Sequence, residues 1–86
     1  MPSYLVESYL TDSATAVADA RRRAQHAATL EDGVRYVRTT FVPGDEVVLH
    51  LFEAPTAEAL DAAGRKAALE FERIVEAVES ETTEET

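Results

Sequence analysis

Pro43-Gly44-Asp45-Glu46 lies between two runs of β-favouring residues, Val34 to Val42 and Val47 to Ala54, and it restricts the fold more than any other stretch. A Pro-Gly connector between strand-like runs predicts a hairpin. Proline presets φ, glycine accepts positive φ, and the acidic pair keeps the tip in water. The second run ends at Pro55, which makes it too short for a helix and suits it to a buried strand. It carries His50, one of two histidines in the chain.

The flanking segments complete a pattern. Ser3 to Leu10 is β-branched and aromatic without a helical period and predicts a first strand. Thr11, Asp12 and Ser13 offer side-chain oxygens that cap a first turn, and an alanine-rich helix follows from about Ala14 to Leu30. Val17, Ala20, Ala24, Ala27 and Ala28 fall near one face of it, and Gly33 is the expected left-handed residue beyond its end. Pro55-Thr56 stops the third strand and caps a second helix, about Ala57 to Ala68. That helix has Glu58 in its first turn, Arg65 and Lys66 in its last, and a weakening Gly64. Phe71 to Val78 alternates and predicts a fourth strand, although its Glu and Ala content also suits a helix. The order β-α-β-β-α-β is the ferredoxin-like, α+β arrangement. Right-handed crossovers then give an antiparallel sheet ordered 4-1-3-2 with both helices on one face. The other face needs water or a partner.

Size and charge limit the function. The chain's 86 residues make one domain, residues 1–79, followed by an acidic tail at 80–86 with no apolar residue, which is expected to be disordered. A domain of this length buries only about 60–65% of its unfolded surface and gains from forming a dimer. The absence of cysteine excludes disulfides and thiolate metal sites and fits a cytoplasmic protein. No apolar run approaches the ~20 residues that span a bilayer, so no membrane role is expected. A net charge of −9 opposes binding to nucleic acid, and Arg21-Arg22-Arg23 beside Asp19 reads as a solvated helix face.

Alternation along the strands nominates a site on the helix-free face. The more apolar set of each strand is expected under the helices. This leaves Glu7, Arg38, His50 and Glu76 on the open face, ringed by Tyr9, Tyr36, Phe52 and Ile74. Strand three divides least cleanly, with Leu49 and Leu51 against Val48, His50 and Phe52. Strands one and three are central, so Glu7 beside His50 would raise the imidazole pKa and fix its tautomer. A salt-bridge network at a dimer interface accounts for the same charges equally well. His26, three and four residues after Arg23 and Arg22, reads as a solvated edge. No phosphate loop, nucleophile elbow or helix-borne histidine pair is present.

Five separated segments resemble a known family. They are Met1-Pro2-Ser3-Tyr4-Leu5-Val6-Glu7, the Arg- and Ala-rich first helix, Val34 to Pro43 with its acidic tip, Leu51-Phe52-Glu53-Ala54-Pro55-Thr56, and Phe71 to Val78. In that order they are similar to the small nickel-binding, ferredoxin-like proteins of actinobacteria. The resemblance spans nearly the whole chain and implies a ferredoxin-like homodimer and nickel binding linked to sequestration. It fixes no ligand positions.

Two chemical readings follow. In the first, the chain binds nickel or a similar divalent ion, with no organic cofactor, through His50, His26, Glu7 and Glu76. In the second, it is an isomerase or cyclase acting in a pocket on the helix-free face of a dimer. His50 is then the general acid or base, Glu7 tunes it, Arg38 holds a substrate anion, and Tyr9, Tyr36, Phe52 and Ile74 line the cavity. A third reading is an interaction module without chemistry.

Overall fold

A computed structural model describes residues 1–10 and 14–78, with the side chain of Ala14 excepted. The expected caps Thr11, Asp12 and Ser13 and the acidic tail lie outside the described residues. The elements run β1 (Ser3–Tyr9), α1 (Ala14–Ala27), β2 (Arg35–Val42), β3 (Val47–Glu53), α2 (Ala57–Lys66) and β4 (Arg73–Ala77). All three strand pairings are antiparallel and the sheet order is β2-β3-β1-β4, which is the expected 4-1-3-2 read from the opposite edge. The fold is the ferredoxin-like α+β arrangement, and the segment Phe71 to Val78 forms a strand over Arg73–Ala77 rather than a helix. One core holds it together: Ala24 and Ala27 of α1 and Leu60 and Ala63 of α2 pack with Val6 and Phe52 of the sheet. Both helices therefore cover the same face.

Three local features set the boundaries. α1 stops at Ala27, three residues short of the expected end, because Thr29 donates both its backbone N–H (2.9 Å) and its hydroxyl (2.7 Å) to the His26 carbonyl. Gly33 takes the left-handed conformation at φ +86°, as its position predicts. Thr56 caps α2 by accepting the Ala59 N–H at 3.1 Å.

The far end of α2 closes without glycine. The Ala68 N–H reaches the Arg65 carbonyl at 3.1 Å and the Leu69 N–H reaches Gly64 at 2.9 Å, the paired bonds of a Schellman turn. Ala68, at φ +59°, occupies the position that glycine usually fills. In the β2–β3 hairpin, likewise, the left-handed residue is Glu46 (φ +54°) rather than Gly44. Two successive turns, from Asp45 N–H to Val42 and from Glu46 N–H to Pro43, bring the chain round before that residue is needed. Gly64 also has a packing reason, since a Cβ there would lie 3.0 Å from the Phe71 ring.

Candidate functional site

The register decides which side chains share a face. Val6 of β1 is buried in the core and stands opposite both His50 of β3 and Ile74 of β4, while Tyr4 stands opposite Phe52. Residues directly opposite in an antiparallel pair project to the same side. His50, Phe52, Ile74 and Glu76 therefore lie on the helix side, not the open side expected of them.

Tyr36 joins them through a β-bulge. The β2–β3 register slips between Tyr36 and Arg38, so Tyr36 opposes Phe52 while Thr39 opposes His50, and Val37 absorbs the extra residue. Tyr36 meets the Phe52 ring edge to face, with centroids 5.7 Å apart. Of the expected open-face set, only Glu7, Tyr9 and Arg38 are on that face.

The open face is mostly apolar. Leu5 opposes Leu51 on one side and Val75 on the other, Glu7 opposes Leu49, and Val47 opposes Val42. Leu5, Leu49, Leu51 and Val75 are each partly exposed in the single chain. Charges stand around them. Arg73 Nε donates to Glu7 Oε1 at 2.9 Å, and Arg35 Nη1 donates to Glu53 Oε1 at 3.0 Å. Glu7 holds the Arg73 guanidinium above its ordinary pKa through that hydrogen bond. Arg38 has no ion-pair partner among the described residues.

His50 is fully buried beneath the helices. Its Nδ1 lies 2.8 Å from Thr39 Oγ1, which in turn lies 2.6 Å from the Tyr36 hydroxyl. Its Nε2 is buried and has no hydrogen-bond partner among the described residues. Burial pushes the imidazole down from 6.5 to about 4, so it is neutral at physiological pH. Next to it on the same face, Ser8 donates its hydroxyl to the Glu70 carbonyl at 2.6 Å. Among the described residues no carboxylate bonds to the ring, and Glu7 projects from the opposite side of the sheet.

The expected metal ligands do not converge. His50 is under the helices, Glu7 is ion-paired on the open face, Glu76 is exposed on the edge strand, and His26 is exposed on α1 with Nδ1 at 3.4 Å from Thr29 Oγ1. Among the described residues no three His, Asp or Glu side chains gather into a group that could hold an ion. These four residues do not fit a divalent-ion site within one chain. Nor does the open face offer an imidazole for acid–base chemistry. Sequence alternation missed Thr39, which fixes His50, and also Leu5, Leu49, Leu51 and Val75. For Leu49 and Leu51 the available signal was a third strand apolar on both sides. Among the described residues no helix is long and apolar enough to cross a membrane.

No known family's sequence profile matches the chain, and no curated protein is similar to it. A crystal structure, that of SCO4226 from Streptomyces coelicolor A3(2), superposes with a TM-score of 0.75 at 17% identity, covering 92% of this chain and 99% of that one. At that identity the likeness extends to the fold.

Proposed function

We propose that this domain is a self-associating interaction module in which two copies join through their open sheet faces. The observation that carries the reading is the contiguous patch of Leu5, Leu49, Leu51 and Val75 on the sheet face away from α1 and α2. An antiparallel sheet with one face in water normally alternates polar residues onto that face. Here Leu5, Leu49, Leu51 and Val75 adjoin one another, with the Glu7–Arg73 pair beside them and Arg35, Arg38 and Glu53 on the β2 side, an apolar patch next to charges as at many protein–protein interfaces.

Charge favours a second copy as the occupant. The face carries Arg35, Arg38 and Arg73 against Glu7 and Glu53, a slight positive excess, in a chain of net charge −9. Two copies meeting here keep most of their negative charge apart. Both signs on one face also allow each copy's arginines to approach the other's glutamates across a two-fold axis. Four strands ~4.8 Å apart and ~24 Å long give a face of roughly 450 Å². Two such faces bury roughly 900 Å², below the about 1,200–2,000 Å² of standard specific interfaces, so a weak, readily reversible dimer is expected.

Sedimentation velocity across a concentration series tests this. The natural chain should shift from monomer to dimer, and Leu51→Arg, which sets a charge opposite Leu5, should stay monomeric with an unchanged far-UV spectrum. A monomer at every concentration, or a dimer indifferent to Leu51→Arg, removes the reading.

A further inference from the structure

Two charged groups on the open face lack a full complement in the single chain. Arg38 is exposed and has no ion-pair partner among the described residues. The Glu7 side chain is only 15% exposed. Its hydrogen bonds, from Arg73 Nε at 2.9 Å and from the Tyr9 hydroxyl at 3.4 Å, both go to Oε1 and leave Oε2 unused among the described residues. From β2 to β4, one row of this face reads Arg38, Leu51, Leu5, Val75, and the next reads Thr40, Leu49, Glu7, Arg73. Strands ~4.8 Å apart and a repeat of ~6.8 Å along each strand place Arg38 and Glu7 roughly 12 Å apart, with the midpoint between Leu49 and Leu51.

We propose that two copies pair with Arg38 of each meeting Glu7 Oε2 of the other, about a two-fold axis that passes between Leu49 and Leu51. This rests on the self-association reading and adds to it the orientation of the copies and the residues that select it. Covering the face strips water from Glu7, and the second copy's guanidinium supplies the donor that Oε2 loses. A two-fold axis lying between two facing sheets exchanges positions that mirror each other across it. Exchange of Arg38 with Glu7 sets the axis at about 35° to the strands, so the two sheets cross at roughly 70°, nearer orthogonal than aligned packing. The same axis brings Leu5 of one copy close to Leu51 of the other, so the apolar centres meet as well. Arg73 comes to the Arg35 side of the second copy, where each arginine already holds a glutamate, Glu7 and Glu53 respectively. Other orientations satisfy less. An axis along the strands between β1 and β3 sets Arg38 over Val75 and Glu7 over Leu49. One across the strands through Leu51 sets Arg38 over Arg38.

The test is a charge swap in the full chain, followed by sedimentation equilibrium. Arg38→Glu alone and Glu7→Arg alone each set two like-charge contacts in a homodimer, and each should weaken association about tenfold or more. An equimolar mixture of the two variants restores both contacts with their signs exchanged, and should dimerise near the natural Kd. Glu53→Arg changes the charge of the face by the same amount, yet it should not replace Glu7→Arg in the mixture. Equal rescue by Glu53→Arg overturns the pairing, because general charge attraction then accounts for the result. So do single variants that dimerise like the natural chain, or a mixture no tighter than its parts. Should Glu7→Arg fail to fold beside Arg73, Arg38→Gln and Glu7→Gln replace the swap. Together they should weaken the dimer no more than either alone, and effects that multiply overturn the pairing. A natural chain that is monomeric at every concentration removes the self-association reading itself, whereas a natural dimer without rescue removes this orientation alone.

Discussion

Replacing His50 with leucine separates its burial from its protonation. In the unfolded chain the imidazole takes a proton below its ordinary 6.5, whereas in the folded chain burial holds it neutral down to about 4. Between those values the unfolded state binds the extra proton, so stability falls as pH is lowered through this window and is flat above it. The span of about 2.5 pKa units corresponds to roughly 3 kcal/mol, a large share of a domain that stands only ~5–10 kcal/mol above unfolding. On that scale the melting temperature should drop by more than about 10 °C between pH 7 and pH 4.5. The lowered pKa of Asp19, held down chiefly by its hydrogen bond to Arg23, acts only below 3.8. The assay is urea unfolding followed by circular dichroism from pH 7.5 to 4.5, with His50→Leu alongside. The variant should lack most of the acid-dependent loss. At pH 7.5 it should match or exceed the natural chain, because the orphaned nitrogen is gone and Thr39 keeps its bond to Tyr36. Parallel pH dependence in the two proteins would refute the burial argument.

Three further substitutions have definite signs. Ala68→Gly should stabilise the domain by about 1 kcal/mol in thermal unfolding, since it removes a Cβ from the left-handed position that ends α2. Gly33→Ala should cost about 1–2 kcal/mol on the same measurement, because φ is +86° and the new Cβ would stand 3.3 Å from the Pro55 ring. Thr39→Val keeps the shape but strips the partner from His50 Nδ1. Denaturant titration should show a loss of roughly 1–3 kcal/mol, and His50 should sample both tautomers.

The ladder of elements was readable because local chemistry and global arrangement agree. Gly33, Thr56 and Pro55 punctuate the chain where the elements change, and β1 alternates with enough contrast to put Val6 inside and Glu7 outside. The site was less readable, for reasons that are also physical. β3 has Val48 and Phe52 on one side and Leu49 and Leu51 on the other, so period-two alternation offers no contrast, and the histidine drew the wrong inference about its own phase. β4 gave Val75 and Ala77 against Ile74 and Glu76, and only its register with β1 settles that Ile74 turns inward. The bulge at Val37 turns Tyr36 inward, and no turn residue marks it. α2, expected to run to about Ala68, ends at Lys66; a Schellman turn built on alanine has no glycine to announce it. An apolar strand on both sides is itself informative, because it belongs to a sheet that expects something on each face.

Intermolecular contacts at that face are the most direct test of the central claim. In a sample mixing isotope-labelled and unlabelled copies, filtered NOE spectra should connect the methyl groups of Leu5, Leu49, Leu51 and Val75 to the same residues of a second copy. Intermolecular NOEs that instead arise from α1 or α2, or their absence at concentrations where sedimentation reports a dimer, would contradict it.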